Sequence, residues 1–110
     1  ASAMSVPVLI FDEIDAGIGG AVAEVVGKKL KEVAKAHQVL CITHLPQIAA
    51  FADRHFFVSK KVAGSRTVTE IKGLNKDERV TEIARMLGGV KITDTTKKHA
   101  LEMLENAMKG

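Results

Sequence analysis

The sequence predicts an α/β fold, a parallel βαβ core followed by a β-hairpin and C-terminal helices. Three observations carry that reading. Val8-Leu9-Ile10-Phe11 is a continuous apolar run that ends in Asp12-Glu13 and a turn containing Gly17, Gly19 and Gly20. Such a run, bounded by turn residues, reads as a strand buried on both faces, the habit of parallel sheets. An amphipathic stretch over 21–36 and a second apolar run over 38–43 follow with short links. Strand, helix and strand so joined must pair in parallel, with a right-handed crossover. Beyond them, two strand-like runs meet at Ala63-Gly64-Ser65, and two helical stripes close the chain.

Bulk composition narrows the function classes. At 110 residues the chain is one domain at most, with room for a single modest core. Apolar residues make up 46% and charged residues 26%, the balance of an ordinary globular chain. No apolar stretch is long enough to span a bilayer and nothing resembles a signal peptide. The single cysteine, Cys41, excludes an internal disulfide framework and fits a reducing cytosol. A net charge of +3, from scattered lysines, permits contact with nucleic acid without arguing for it.

Taken in order, residues 1–5 read as a leader or cloning remnant, and 6–110 as the folded segment. Pro7 can open the first strand, where a missing N–H matters least. In the helix, Val22, Val25, Val26, Leu30 and Val33 form the expected inward stripe. The second strand ends at His44-Leu45-Pro46, and Pro46 suits the first turn of a helix reaching about Ala52. Residues 55–62 and 66–72 form the expected hairpin. Asn75 with Glu78 three residues later is a capping-box pattern, and the helix it opens stops at Gly88-Gly89. Its inward residues are Val80, Ile83, Ala84 and Leu87. The last helix starts between Thr93 and Thr96 and turns Ala100, Leu101, Leu104, Ala107 and Met108 inward.

The chemistry gathers where the first two strands end. Both finish on the same edge of a parallel pair, so Asp12, Glu13 and His44 share a rim despite their distance in sequence. Open α/β sheets bind ligands at that edge. An aspartate there can hold Mg²⁺, the next residue can orient an attacking water, and an imidazole can donate to a phosphate oxygen. The plain alternatives are two solvated acids ending a strand and a histidine satisfied by backbone. Cys41 and His44 have Cys-x-x-His spacing, but no second pair follows to complete a zinc site, and Cys41 reads as a buried strand residue. His37 and His99 read as helix-end or surface residues. On the hairpin, Lys60, Lys61, Arg66 and Lys72 suit DNA contact or, more plainly, an edge protected against pairing.

Leu9-Ile10-Phe11-Asp12-Glu13-Ile14-Asp15 resembles the Walker B strand and D-loop of ABC-type ATPases, in the form found in chromosome-maintenance proteins. Residues 41–50, Cys-Ile-Thr-His-Leu-Pro-Gln-Ile-Ala-Ala, are similar to the histidine-switch segment of one family in that group, the RecN family of bacterial DNA repair proteins. Residues 79–89 and the Thr-rich segment before His99-Ala100 resemble the same family. The likeness runs from Pro7 nearly to the end. It implies a partial P-loop NTPase head of ABC type, cytoplasmic and nucleoid-associated, acting in double-strand-break repair with ATP and Mg²⁺. It assigns Asp12 to Mg²⁺ through water, Glu13 as general base, and His44 to the γ-phosphate. Asp15 falls in the turn that links the two nucleotide sites of a head dimer; a favourable acid at a helix N-terminus is the competing reading.

The resemblance also exposes a gap. Such heads need an upstream Gly-x-x-x-x-Gly-Lys-Ser/Thr loop and a Ser-Gly-Gly signature, and neither is present. The expected partners are therefore the N-terminal half of the head, a second head in an ATP-dependent homodimer, and DNA, with no membrane. The segment alone is expected to turn over essentially no ATP and to self-associate through uncovered sheet edges. Three other readings stand beside this one: a head segment of another ABC or SMC-type ATPase, a non-catalytic interaction module, and a self-contained metal-dependent hydrolase using Asp12, Glu13 and His44.

Overall fold

A computed structural model describes residues 8–12, 17–88 and 91–109. The order is β1 (Val8–Asp12), α1 (Gly20–Val33), β2 (Gln38–Ile42), α2 (Pro46–Ala49), β3 (Phe56–Ala63), β4 (Arg66–Gly73), α3 (Lys76–Gly88) and α4 (Asp94–Lys109). β1 and β2 pair in parallel around the α1 crossover, with Val8 aligned to Gln38 and Asp12 to Ile42. β3 and β4 form a separate antiparallel hairpin, from Phe56 opposite Gly73 to Ala63 opposite Arg66. Its loop is the pair Gly64-Ser65, and Gly64 takes a φ of 66°, which a residue with a Cβ rarely adopts. Residues 1–7, where the leader and Pro7 fall, lie outside the described residues, as do Gly89 and Val90.

Helix ends follow local chemistry. Leu45, extended at φ −96° and ψ 123°, caps α2, with Pro46 at its first position. α2 stops at Ala49 rather than near Ala52, because the chain tightens: the N–H groups of Phe51 and Ala52 donate to Ile48 and Ala49, three residues back. α1 likewise stops at Val33, short of the expected Ala36, where Lys35 and Ala36 make the same short bonds to Glu32 and Val33. The capping box of α3 closes as the sequence predicts. Glu78 N–H donates to Asn75 Oδ1 at 2.8 Å, and Asn75 N–H donates to Glu78 Oε1 at 3.0 Å. At α4, Thr96 N–H donates to Thr93 Oγ1 at 3.1 Å.

The core lies among the helices. Ala49, Ala50 and Phe51 meet Ile83 and Ala84 of α3 and Ala100, Leu104 and Ala107 of α4, with Val80, Met86, Leu87 and Met103 at its margin. Three expected burials are corrected. Val22 and Val25 are exposed, and α1 instead buries Ala23 and Gly27, because it approaches α2 too closely for branched side chains. Leu101 and Met108 are exposed on α4, since its contact with α3 is a narrow stripe of small residues and one leucine. β2 alternates between exposed and half-buried positions, and Leu40 and Ile42 face solvent among the described residues. Cys41 is accordingly half-buried rather than buried.

Candidate functional site

The parallel register fixes where the two strands end. Asp12, the last residue of β1, aligns with Ile42, the last of β2, so both C-termini reach one edge. His44 follows Ile42 by two residues and is exposed. The backbone thus brings Asp12 and the His44 segment together although they are far apart in sequence. Glu13 and Asp15, the other two acids read from the sequence, lie outside the described residues. Between the strand and α2, Leu45 N–H donates to Thr43 Oγ1 at 3.0 Å, closing a small side-chain turn around His44. Among the described residues no three His, Cys, Asp or Glu side chains form a metal-holding group.

Two residues to which the sequence reading gave no supporting role hold this segment. Gly27 on α1 lets the helix lie against α2: a Cβ there would stand 2.5 Å from the Phe51 ring and 3.1 Å from the Gln47 carbonyl oxygen. A glycine inside an otherwise regular helical pattern was the available signal. Arg79 on α3 reaches across to the end of α2. Its Nη2 donates to the carbonyl oxygens of Ala49 at 3.2 Å, Ala50 at 3.3 Å, and Ala52. Helical spacing puts position 79 one turn before the buried Ile83, so a charge on that face was the signal. Burial lowers the Arg79 pKa, opposed by attraction to Asp53, and the guanidinium stays charged.

The hairpin and α3 enclose an open concavity lined by Phe57, Lys72, Leu74, Glu78, Thr81 and Glu82, which shares no residue with the rim. Its charges serve the fold. Lys72 donates to Glu78, Arg85 pairs with Glu82 at 2.6 Å, and the Arg85 guanidinium lies 5.9 Å from the centre of the Phe57 ring. Lys61 pairs with Glu70 at 3.1 Å. Two of the four basic hairpin residues, Lys61 and Lys72, therefore hold acids of this chain.

No protein-family model matches the chain. Curated relatives do. The DNA repair protein RecN of Bacillus subtilis is 49% identical over 106 residues, 96% of this chain and 18% of the relative. RecN of Streptomyces coelicolor is 48% identical over 102 residues, covering 93% and 18%. RecN of Vibrio cholerae is 44% identical over 104 residues, covering 94% and 19%. The chain thus spans less than a fifth of the length of these relatives and matches a C-terminal part of them. Among solved structures, a chain from work on the ATP-driven dimerization and DNA-stimulated activation of SMC ATPases superimposes with a TM-score of 0.63 at 24% identity. That match covers 78% of this chain and 51% of the other, and it supports the α/β fold.

Proposed function

The chain is a segment of RecN type, and on that premise we propose that residues 6–110 carry the hydrolytic rim of an ATPase head acting in DNA repair. The observation that supports it most directly is the β1–β2 register, which aligns Asp12 with Ile42 and leads into His44 at the same edge. The donor types fit the group such a head would bind. A carboxylate at a strand end suits Mg²⁺, a hard cation that takes oxygen ligands, and an exposed imidazole suits an anionic phosphate oxygen. Mg²⁺, when bound, neutralises charge on the β- and γ-phosphates.

In this reading each residue has a distinct task. Asp12 would hold the metal, directly or through water. Glu13 accepts a proton from the water that attacks the γ-phosphate, so its carboxylate must be ionised and within hydrogen-bond reach. His44 donates an imidazole N–H to a γ-phosphate oxygen, and so registers whether that phosphate is present. Asp15 would link this site to that of a second head. The phosphate cradle comes from the rest of the head, with which this segment completes its sheet. A second copy of the head and DNA are the further partners, and the compartment is the cytoplasm; among the described residues no helix is long and apolar enough to cross a membrane.

The test is kinetic and uses the full-length RecN-type protein. Glu13→Gln should keep ATP binding and lose turnover by roughly a hundredfold or more, because the base is lost while the metal ligand stays. His44→Ala should also lower turnover, with little change in Mg²⁺ dependence. A normal ATPase rate in Glu13→Gln would sink the assignment.

A further inference from the structure

The segment that follows His44 is short and is held from outside. α2 has four residues, Pro46–Ala49, and a single helical turn is not stable without tertiary support. On one side α1 supplies that support, through the close approach of Gly27 to Phe51 and to the Gln47 carbonyl. On the other side Arg79 supplies it, from α3, about thirty residues along the chain. The carbonyls of Ala49 and Ala50 close α2 and that of Ala52 lies in the link just beyond it, where few backbone donors remain; among the described residues only the Ala49 oxygen of the three also takes a backbone bond, from the Ala52 N–H. A guanidinium there meets the negative end of the backbone dipoles as well.

The link to the rim is short. Only Leu45 stands between His44 and the first residue of α2, and Pro46 fixes the backbone angle at that joint. Thr43 Oγ1 restrains the same joint from the strand side. A rotation or slide of α2 therefore carries His44 with it. We propose that Arg79 is a positioning residue for His44: its grip on the carbonyls that end α2 sets where the imidazole stands on the rim. The inference rests on the ATPase reading above and adds to it a residue on a different helix, through which movements of α3 and α4 are felt at the site.

A double-mutant cycle in the full-length RecN-type protein tests this, read as kcat and KM for ATP with a thermal melt for each variant. Arg79→Met keeps the bulk of the stem and removes the donors. It should lower kcat roughly tenfold to a hundredfold with KM nearly unchanged, since placement is lost and nucleotide affinity is not. In a His44→Ala background the same substitution should change kcat by less than about twofold, because no imidazole remains to be misplaced. Arg79→Lys offers three donors on one nitrogen and should restore much of the rate. A loss that is equal with and without His44, or confined to KM or to the melting temperature, overturns the proposal and leaves Arg79 a packing residue. If Arg79→Met does not fold, Arg79→Gln runs the same cycle with the same criterion. Normal turnover in Glu13→Gln would remove the ATPase reading itself. Loss of turnover in Glu13→Gln with unchanged kcat in Arg79→Met would remove this proposal alone.

Discussion

Gly27 and Phe51 are packed so closely that a single methyl group cannot be added between them. A Cβ built on Gly27 would lie 2.5 Å from Cδ2 and 3.0 Å from Cε2 of the Phe51 ring. Phe51 is itself buried beside Ala49 and Ala50, so the ring has little room to swing. The approach of α1 to α2, and with it the placement of the His44 segment, depends on the absence of that methyl.

Two effects oppose each other in Gly27→Ala. Replacing a mid-helix glycine favours the helix by about 1 kcal/mol. Forcing an extra carbon into a packed contact costs about 1–3 kcal/mol. The contact is well under normal separation and backbone lies on its far side, so the second effect should win. The expected outcome is a lower melting temperature for this chain. A raised or unchanged midpoint would show that the ring moves aside at little cost.

Two groups give stability a defined pH dependence. Burial holds the His55 pKa below its ordinary value of about 6.5, helped by the nearby positive charge of Arg79 and opposed by Glu82. Glu78 is held below its ordinary carboxylate value by the backbone hydrogen bond from Asn75, then by the hydrogen bond from Lys72. A depressed pKa in the folded state contributes stability above the unfolded pKa and loses it as pH falls through the folded one. Stability should therefore decline in two stages on acidification, first below the ordinary histidine value and again below the ordinary carboxylate value. His55→Gln should remove the first stage and leave the second. A pH-melt profile flat from neutrality down to the carboxylate range would refute the first half.

Much of this fold was legible because its signals are local. The parallel strands, the Gly64 turn, Pro46 at a helix start and the Asn75–Glu78 box each depend on residues adjacent in sequence. The shared edge of Asp12 and the His44 segment was legible for the same reason, since a βαβ unit has one way to bring its two strand ends together. What the sequence hid is pairwise packing. Periodicity identifies an apolar stripe on α1 without saying that Ala23 and Gly27, not Val22 and Val25, meet a neighbour. The grip of Arg79 on α2 spans about thirty residues and leaves no local pattern except a charge on an inward face.

Nucleotide binding by this chain alone should be weak. The residues proposed to face ATP are Asp12, Glu13 and His44, with tasks at the metal, the water and the terminal phosphate. The strongest phosphate grip in such sites comes from backbone N–H groups of a glycine-rich loop and its lysine. Gly27-Lys28-Lys29, the one Gly-Lys pair near a helix, lies within α1 with Gly27 sealed against Phe51. Calorimetric titration with ATP and Mg²⁺ should find no tight site. Micromolar affinity would favour a self-contained phosphate site.

The isolated chain should also self-associate. β1 and β2 make one two-stranded sheet and β3 and β4 another, so among the described residues every strand has an edge without a ladder partner. Such edges attract other strands. The cross-strand register makes the hairpin two-faced. One face carries Phe57 and Lys72, which engage α3 through Arg85 and Glu78. The opposite face carries Phe56, Val58, Val62 and Ile71, with Val62 80% and Ile71 68% exposed. Leu40 and Ile42 on β2 add a second apolar surface. Under the function proposed above, the rest of the head would cover both. Without it, pairing two copies about a two-fold axis is the commonest way to bury them. Sedimentation velocity over a range of concentrations should show a dimer or larger species that dissociates on dilution. Val62→Lys and Ile71→Lys, which place charge on the outer face without touching the contacts to α3, should raise the monomer fraction. A monomer at high concentration would overturn the expectation that these edges and faces need a cover. Association unaffected by either lysine would move the contact to the β1–β2 sheet.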